Sequence, residues 1–195
     1  MRVLVSGDYR LHQVVHSNGT LGIDNGQGTF YSSGYNVNNL SSGYHWITSV
    51  VKNRVTNFYV DGKYVGISVT YFGDYIRCVG NWHRDQNRYV GEIDEVRFWD
   101  KSLTDKEILV NTYTELTGKE TNLWGLWKMN EGSGNLVQDY SPNLRHSSTG
   151  GNPSWVDIPN IFTSKYDIPS FSVTSISPIQ KNIKIKIDST INYST

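Results

Sequence analysis

The chain has 195 residues, of which 37% are hydrophobic and 13% aromatic, and its 18 basic residues balance 18 acidic ones. This apolar content is enough for a buried core, so the composition excludes wholesale disorder. The zero net charge argues against non-specific binding to nucleic acid or to an anionic membrane, because both need an excess of positive charge. No apolar run approaches the roughly 20 residues of a membrane span, so we expect no membrane insertion.

Short apolar runs separated by turn residues fill the first half of the chain, which is typical of β-structure. Asp61 and Gly62 lie between two such runs, and this dipeptide is the strongest hairpin signal in the sequence. The polar, glycine-rich residues 24–43 cannot hide their backbone in a core, so we predict a surface connection there. We predict strands over residues 2–5, 9–15, 20–23, 46–51, 55–60, 64–69 and 76–79.

One short helix interrupts this pattern and is predicted over residues 104–117. Thr104, followed three residues later by Glu107, has the spacing of a capping box, in which each side chain bonds the other residue's backbone. Gly118 is placed to close the helix, because glycine tolerates the left-handed conformation needed there. The apolar positions that recur at helical spacing are Leu109, Tyr113 and Leu116.

The remaining runs are strands again, and every connection apart from the helix joins strand to strand. Such connectivity favours antiparallel sheets packed face to face, and about 200 residues is a common size for one such unit. We therefore predict an all-β sandwich over residues 1–157, a linker over 158–170 and a tail over 171–195. The tail alternates strictly, as the start of a further β-domain or an extra strand of the sandwich would. The tryptophans assigned to the core are Trp46, Trp99, Trp124, Trp127 and Trp155.

Three segments carry a family pattern. They are residues 45–63 (HWITSVV, then TNFYVDGK), residues 91–108 (GEIDEVRFWDKSLTDKEI) and residues 123–155 (LWGLWKMNEGSGN, then DYSPN and GNPSW). In this order they are similar to the laminin G-like and pentraxin-like domains of the concanavalin A-like lectin/glucanase superfamily. The resemblance implies an antiparallel jelly-roll β-sandwich with one short helix, within a larger extracellular or cell-surface protein.

Domains of this kind usually begin with strands that precede the segment at which this chain opens, so we expect the sandwich to be incomplete at its N-terminus. Three alternatives are open: the chain is a fragment, residues 123–134 supply the early strands, or sheet edges lie open and invite pairing. Residues 1–8 lack the apolar core of a signal peptide, so nothing in them directs export. Cys78 is the single cysteine, so cysteine usage does not decide the compartment.

Glycoside hydrolysis is one function that the resemblance suggests, because the superfamily includes glycoside hydrolases with a Glu-x-Asp-x-Glu motif along one strand. We predict one strand over Val90–Asp100, in which Glu92 and Asp94 match the first two acids of that motif. Val96 stands where the third acid is required, and Glu95 is displaced to the opposite face. This removes one of the two carboxylates that act on the sugar. We therefore predict no catalytic residues and no enzymatic activity.

The polar loop before the GEI motif is the candidate ligand site. Trp82 has little reason to lie in such a loop unless its ring meets a ligand, and its neighbours Asn81 and His83 can bond sugar hydroxyls. Tyr71 and Tyr75 would extend this aromatic surface. The alternative, that Trp82 folds back over the edge of the sandwich, stays open.

Pentraxin-like domains hold calcium in the corresponding loop, and the resemblance implies a calcium site here with Asp85 and Asn87 as ligands. Calcium needs several oxygen donors, and Arg84 places an unfavourable charge among them. The pentraxin pattern is thus broken, and calcium is the one cofactor that the resemblance suggests.

These observations together predict a non-catalytic recognition module that binds a glycan or a glycosylated protein. Two alternatives accompany it: a structural or protein–protein interaction module without a sugar ligand, and an inactive relative of the glycoside hydrolases. Nothing in the sequence predicts nucleic-acid binding.

Overall fold

In the described part of the chain, alternating apolar residues and tight turns produce two large packed β-sheets, a small sheet of two short strands, and one α-helix on the outside. A computed structural model describes residues 1–7, 11–71, 75–82, 90–150, 153–158 and 183–190 of the chain. The predicted all-β sandwich with one short helix is confirmed. In chain order the strands are β1 (Arg2–Gly7), β2 (His12–Val15), β3 (Thr20–Asp24), β4 (Phe30–Asn36), β5 (Gly43–Lys52), β6 (Val55–Val60), β7 (Lys63–Ser68), β8 (Ile76–Val79), β9 (Val96–Trp99), β10 (Leu123–Trp127), β11 (Leu136–Val137), β12 (Ser147–Ser148) and β13 (Ile183–Thr190); the helix α1 (Asp105–Thr112) lies between β9 and β10.

The first sheet has the order β4-β3-β2-β1-β8, and all its neighbours are antiparallel. Strand β4 and the 3-10 helix Val37–Asn39 both fall within residues 24–43, so the prediction of an unstructured surface connection there was wrong. The reason is that β4 is an edge strand in which Ser33 is the single buried residue. Its polar composition is therefore compatible with a strand, and the Ser33 hydroxyl donates to the Leu21 carbonyl at 2.7 Å.

The second sheet has the order β10-β9-β13-β5-β6-β7. The predicted hairpin at Asp61–Gly62 is confirmed, and it joins β6 to β7. Strand β13 is the exception to the antiparallel prediction: it is parallel to both of its neighbours, β5 and β9. The division of the chain at residues 157 and 170 stays a prediction, because residues 159–182 lie outside the described part.

Side chains from facing strands fill the space between the two sheets. A buried polar contact crosses it, in which Gln13 Nε2 donates to Ser49 Oγ at 2.6 Å. At one side of the sandwich β4 and β7 approach closely: a Cβ on Gly66 would lie 2.1 Å from the Ser33 carbonyl oxygen, so only glycine fits there. The largest fully buried apolar side chains of this core are Leu4, Leu21, Ile23, Ile47, Phe58 and Phe98.

Helix α1 begins as the sequence predicts. Thr104 is the N-cap, its hydroxyl accepts the Glu107 backbone N–H, and the Glu107 carboxylate accepts the Thr104 backbone N–H at 2.8 Å. Lys101 forms an ion pair with the same carboxylate. These bonds satisfy backbone donors that the first helical turn would otherwise leave unpaired.

The end of the helix and its buried face differ from the prediction. The helix ends at Thr112 instead of residue 117, and Leu109 and Tyr113 are 48% and 67% exposed. Ile108 and Thr112 are buried instead, together with Leu116 beyond the helix. Of the three apolar positions identified in the sequence, Leu116 is thus buried, whereas Leu109 and Tyr113 are exposed. Ile108 and Thr112 have the same four-residue spacing as Leu109 and Tyr113, so only packing against the second sheet decides which pair is buried.

We predict that Glu107→Gln removes a pH-dependent contribution to stability. Hydrogen bonds from Lys101 and Thr104 lower the pKa of Glu107 from 4.5 to about 2, so the folded state favours the carboxylate. This contribution is present above pH 4.5 and is lost as the pH falls through the folded-state pKa near 2. Because the side chain is 38% exposed, we expect a difference of only about 0.5 kcal/mol at pH 6.

Urea unfolding of both proteins, followed by tryptophan fluorescence from pH 6 to pH 2, measures this difference. The free energies of unfolding of wild type and variant should converge at the acid end. A gap that stays constant across this range would show that the carboxylate has no such role.

Candidate functional site

The acids before β9 do not lie on one regular strand. The predicted strand over Val90–Asp100 is confined to Val96–Trp99, and Ile93 forms an isolated bridge. Between them Glu95 has φ +57°, in the left-handed region, which breaks the alternation of faces. Val96 is buried in the core at 1% exposure, so the third position of the hydrolase motif is apolar and points between the sheets.

The carboxylate of Glu95 is part of the structure and is closed to solvent. Its Oε1 accepts bonds from Arg97 Nε at 3.1 Å and from Arg97 Nη2 at 2.8 Å, and both side chains are buried. The guanidinium also lies 4.3 Å from the ring centroid of Trp46 and donates to the Asn111 and Thr114 carbonyls. A buried, paired carboxylate of this kind cannot reach a substrate.

Glu92, the first acid of the hydrolase motif, contacts strand β5 of the second sheet. The Tyr44 hydroxyl donates to Glu92 Oε2 at 2.9 Å. Burial first, then this hydrogen bond and the charges of Glu92 and Asp94, raise the pKa of Tyr44 far above its ordinary value. The phenol therefore stays protonated and holds Glu92 against the start of β5.

Ser41, His45 and Asp61 form a chain that superficially matches a Ser-His-Asp triad. His45 Nδ1 lies 2.7 Å from Asp61 Oδ2, and His45 Nε2 lies 3.4 Å from the Ser41 hydroxyl. The same Nε2 is only 3.0 Å from the Ser41 carbonyl oxygen. The ring nitrogen that a triad would turn towards the serine hydroxyl is therefore closer to a backbone carbonyl oxygen, which is not the geometry of a Ser-His-Asp triad. The arrangement ties β5 to the β6–β7 turn.

The predicted platform residue Trp82 contacts the outer side of the first sheet. Its ring centroid is 5.3 Å from that of His12, with the planes tilted by 59°, and His12 is 2% exposed. The Trp82 backbone N–H donates to Asn81 Oδ1 at 2.8 Å, so these two predicted site residues are adjacent and partly buried. The third, His83, lies outside the described residues.

The two predicted tyrosines lie in different surroundings. Tyr71 packs against the sandwich core, and the Arg54 guanidinium lies 5.6 Å from its ring centroid. Tyr75 precedes β8 and is 70% exposed. Tyr71 therefore packs against the core, Tyr75 is open to solvent, and the Trp82 ring contacts His12. The ligand site made from these residues stays a prediction.

The calcium site suggested by the resemblance stays a prediction, because Asp85 and Asn87 lie outside the described residues. The Asn81 side-chain oxygen, a further possible donor, accepts the Trp82 backbone N–H. The described part of the chain contains no group of three or more His, Cys, Asp or Glu side chains placed to hold a metal ion.

The buried carboxylate of Asp139 has a structural role. It accepts the backbone N–H groups of Leu126, Ser141 and Arg145 at 2.8–2.9 Å, together with the Ser141 hydroxyl at 2.9 Å. The Tyr140 N–H donates to the Leu126 carbonyl, so this segment lies along β10. It covers an edge of the second sheet that would otherwise invite pairing.

A cleft that the sequence did not predict lies between α1 and the outer face of the second sheet. Its volume is about 440 Å³. Across it the buried Tyr59 hydroxyl donates to Asp105 Oδ1 at 2.8 Å, and burial and this bond strongly raise the pKa of Tyr59. Tyr64, 54% exposed, meets Tyr59 edge-on with centroids 5.6 Å apart. The lining residues are Val50, Lys52, Asn57, Tyr59, Ser102, Leu103, Thr104, Asp105 and Lys106.

One signal for this cleft is visible in the sequence. Strand alternation places Asn57 and Tyr59 on one face of β6. The sequence does not reveal that the helix start covers this face, because the Tyr59–Asp105 contact joins residues 46 positions apart.

The two packed sheets and their strand order define a jelly-roll β-sandwich. Residues 1–109 match the family described as the concanavalin A-like lectin/glucanases superfamily, and the chain belongs to it. Comparisons with curated proteins and with solved structures found no match. Within the described residues, no helix is both long and apolar enough to cross a membrane.

We predict that Arg97→Met lowers the free energy of unfolding by about 3–5 kcal/mol, because it leaves the buried Glu95 carboxylate unpaired. The double variant Arg97→Met/Glu95→Gln should lose less than the sum of the two single variants. Urea unfolding measures all three. Lys128→Met is the matched control, since its partner Glu115 is 49% exposed, and it should cost less than about 1 kcal/mol. An Arg97→Met variant as stable as this control would contradict the structural role of the pair.

Proposed function

We propose that this chain is a non-catalytic recognition module that binds carbohydrate or a glycosylated protein, as part of a larger extracellular or cell-surface protein. Membership of a superfamily that includes lectins supports the proposal. The observation that carries it is the cleft beside α1, which combines an aromatic side chain with an amide, a carboxylate and two ammonium groups.

The chemistry of the cleft suits a sugar. Tyr64 does not line the cleft but contacts its aromatic residue Tyr59, and its exposed ring offers a flat surface beside the cleft for the C–H face of a pyranose. The Asn57 amide, the Asp105 carboxylate and the Lys52 ammonium offer donors and acceptors for its hydroxyls. A volume of 440 Å³ falls within the range of about 300–1,000 Å³ for small-molecule sites.

The carboxylates near the hydrolase motif support a role in binding a sugar without cleaving it. Retaining and inverting glycosidases both need two carboxyl groups flanking the scissile bond, about 5–9 Å apart. Glu95 is buried against Arg97, and Glu92 accepts the Tyr44 hydroxyl. Val96 stands in the place of the third acid, and Glu95 cannot replace that acid because it is paired with Arg97, so only Glu92 and Asp94 of the motif remain. Hydrolysis of a β-glucan that Glu92→Gln abolished would overturn this part of the proposal.

The surface predicted from the sequence is the second candidate for the sugar site. Asn81 and Trp82 are adjacent at its centre, and Tyr75 is 70% exposed nearby in the sequence. If this surface is the sugar site, His83 and Tyr71 complete it, and Asp85 and Asn87 are the candidate calcium ligands.

An interaction module without a sugar ligand is the alternative function. It is favoured by the apolar side chains on the solvent face of α1. Leu109, Val110 and Tyr113 are 48%, 53% and 67% exposed there, beside the β6–β7 turn that Gly62 forms. Such a patch suits a protein partner.

We predict that Tyr64→Ala and Asn57→Ala each reduce glycan binding at least tenfold. The readout is a glycan array probed with the chain captured on a multivalent support, because a shallow site implies a Kd on the order of 1 mM for one copy. Tyr113→Ala is the control, since it removes another exposed tyrosine, one that lies at the end of α1 (67% exposed, against 54% for Tyr64).

The glycan array also distinguishes the cleft from the surface predicted from the sequence. Loss of binding in Trp82→Ala, with Tyr64→Ala unaffected, would move the site to the surface predicted from the sequence. Repeating the array in EDTA tests the calcium dependence of that surface. Silence of wild type on every glycan would reject carbohydrate recognition and favour the protein–protein alternative.

A further inference from the structure

Strand β13 holds the second sheet together. It pairs with β5 over eight positions, from Ile183 opposite Gly43 to Thr190 opposite Val50, and with β9 over three. The two groups of strands on its sides, β10-β9 and β5-β6-β7, are joined within the sheet by β13 alone among the described strands. The centre of the sheet is therefore a slot that an extended segment must fill.

An empty slot would leave two strand edges without partners inside the molecule. With β13 in place, residues 45–51 of β5 and all four residues of β9 are buried, so removal of β13 would expose backbone groups in the middle of the sheet. Water cannot replace the backbone hydrogen bonds of buried strands, so an empty slot is strongly unfavourable. The slot therefore binds its occupant mainly through the backbone, as sheets do when they take up an added strand.

The occupant is connected by a long tether. Twenty-four residues lie between Ile158 and Ile183. Fully extended, they span about 80 Å, whereas a compact chain of this length has a radius of gyration of about 16 Å and hence a diameter of about 42 Å. The tether is therefore long enough for β13 to reach the slot of a neighbouring copy. Its parallel direction also requires no tight turn, so nothing in the pairing demands that β13 belong to the same chain.

We propose that the slot between β5 and β9 is a strand-binding site whose occupant can be supplied by a second copy of this chain, giving a reciprocal dimer in which each copy donates Ile183–Thr190. The sequence of the donor, with isoleucine and lysine alternating from Ile183 to Ile187, has the β-branched residues that favour an added strand. Within one chain the tethered strand competes at an effective concentration of about 1 mM. The monomer therefore dominates in dilute solution, and exchange occurs when protein is refolded at high concentration.

The first test uses a full-length Ile185→Pro variant and a fluorescein-labelled peptide of residues 181–192. Proline removes a ladder N–H from the chain's own donor strand and leaves β5 and β9 unchanged. Fluorescence anisotropy should show the peptide binding this variant at least tenfold more tightly than wild type, whose slot is occupied. Val156→Pro, at a 56% exposed position outside every strand, is the matched control and should behave as wild type. The same peptide carrying proline in place of Ile185 should not bind.

Failure of the peptide to bind a variant that keeps the circular dichroism of wild type would overturn the proposal. If Ile185→Pro does not fold, full-length wild type with a specific protease site at residues 165–170 replaces it. After cleavage the C-terminal fragment should coelute with the rest and be displaced by excess peptide. A fragment that separates and leaves the remainder with unchanged tryptophan fluorescence would show that the slot needs no strand.

The second test asks whether a second copy of the chain can supply the strand. Wild type refolded at about 1 mM should contain a dimer by light scattering that is absent after refolding at about 1 µM. Its circular dichroism should match that of the monomer, because the same pairs form. A chain that remains monomeric after refolding at 1 mM would rule out exchange between copies. This readout does not depend on sugar binding, so it and the glycan array fail independently.

Discussion

The buried Arg97–Glu95 pair is the interaction on which the rest of the second sheet depends. Arg97 is fully buried, and its guanidinium binds one carboxylate, two carbonyls of the segment at the end of α1 and the face of Trp46. Because a buried guanidinium without a counter-charge is strongly unfavourable, Glu95 must turn back towards it and adopt a positive φ. The Asn111 carbonyl, near the end of the helix, is bound to the guanidinium at 2.6 Å. One side chain therefore connects β9, β5 and the helix.

This connection also accounts for the surfaces available for recognition. With the helix end held by Arg97, its start lies over β6, where Tyr59 meets Asp105 and the cleft opens. Of the acids near the hydrolase motif, Glu95 pairs with Arg97 and Glu92 accepts the Tyr44 hydroxyl, so both contribute to the cohesion of the sheet. These contacts are compatible with the proposed role in recognition.

The second sheet is completed by a strand that arrives from far along the chain and in parallel. Both edges of the sheet are covered by other segments: residues 139–145 lie along β10, and β4 packs against β7. The centre of the sheet is filled by β13. A sheet with covered edges and an inserted central strand is closed to unspecific pairing and open to one defined partner segment. Recognition through the cleft and strand uptake through the slot are therefore separate properties of one sheet.

The sequence by itself determined the sandwich class, the Asp61–Gly62 hairpin, the Thr104 cap and the apolar residue at position 96. Each of these depends on signals within a few residues, namely alternation, turn dihedral angles and capping bonds. Only the tertiary structure decided which stripe of α1 is buried, where Glu95 points, where Trp82 packs and that β13 runs parallel. The physical reason is that Arg97 meets a carbonyl 14 residues away and Tyr59 a carboxylate 46 residues away, and no local pattern encodes such partners.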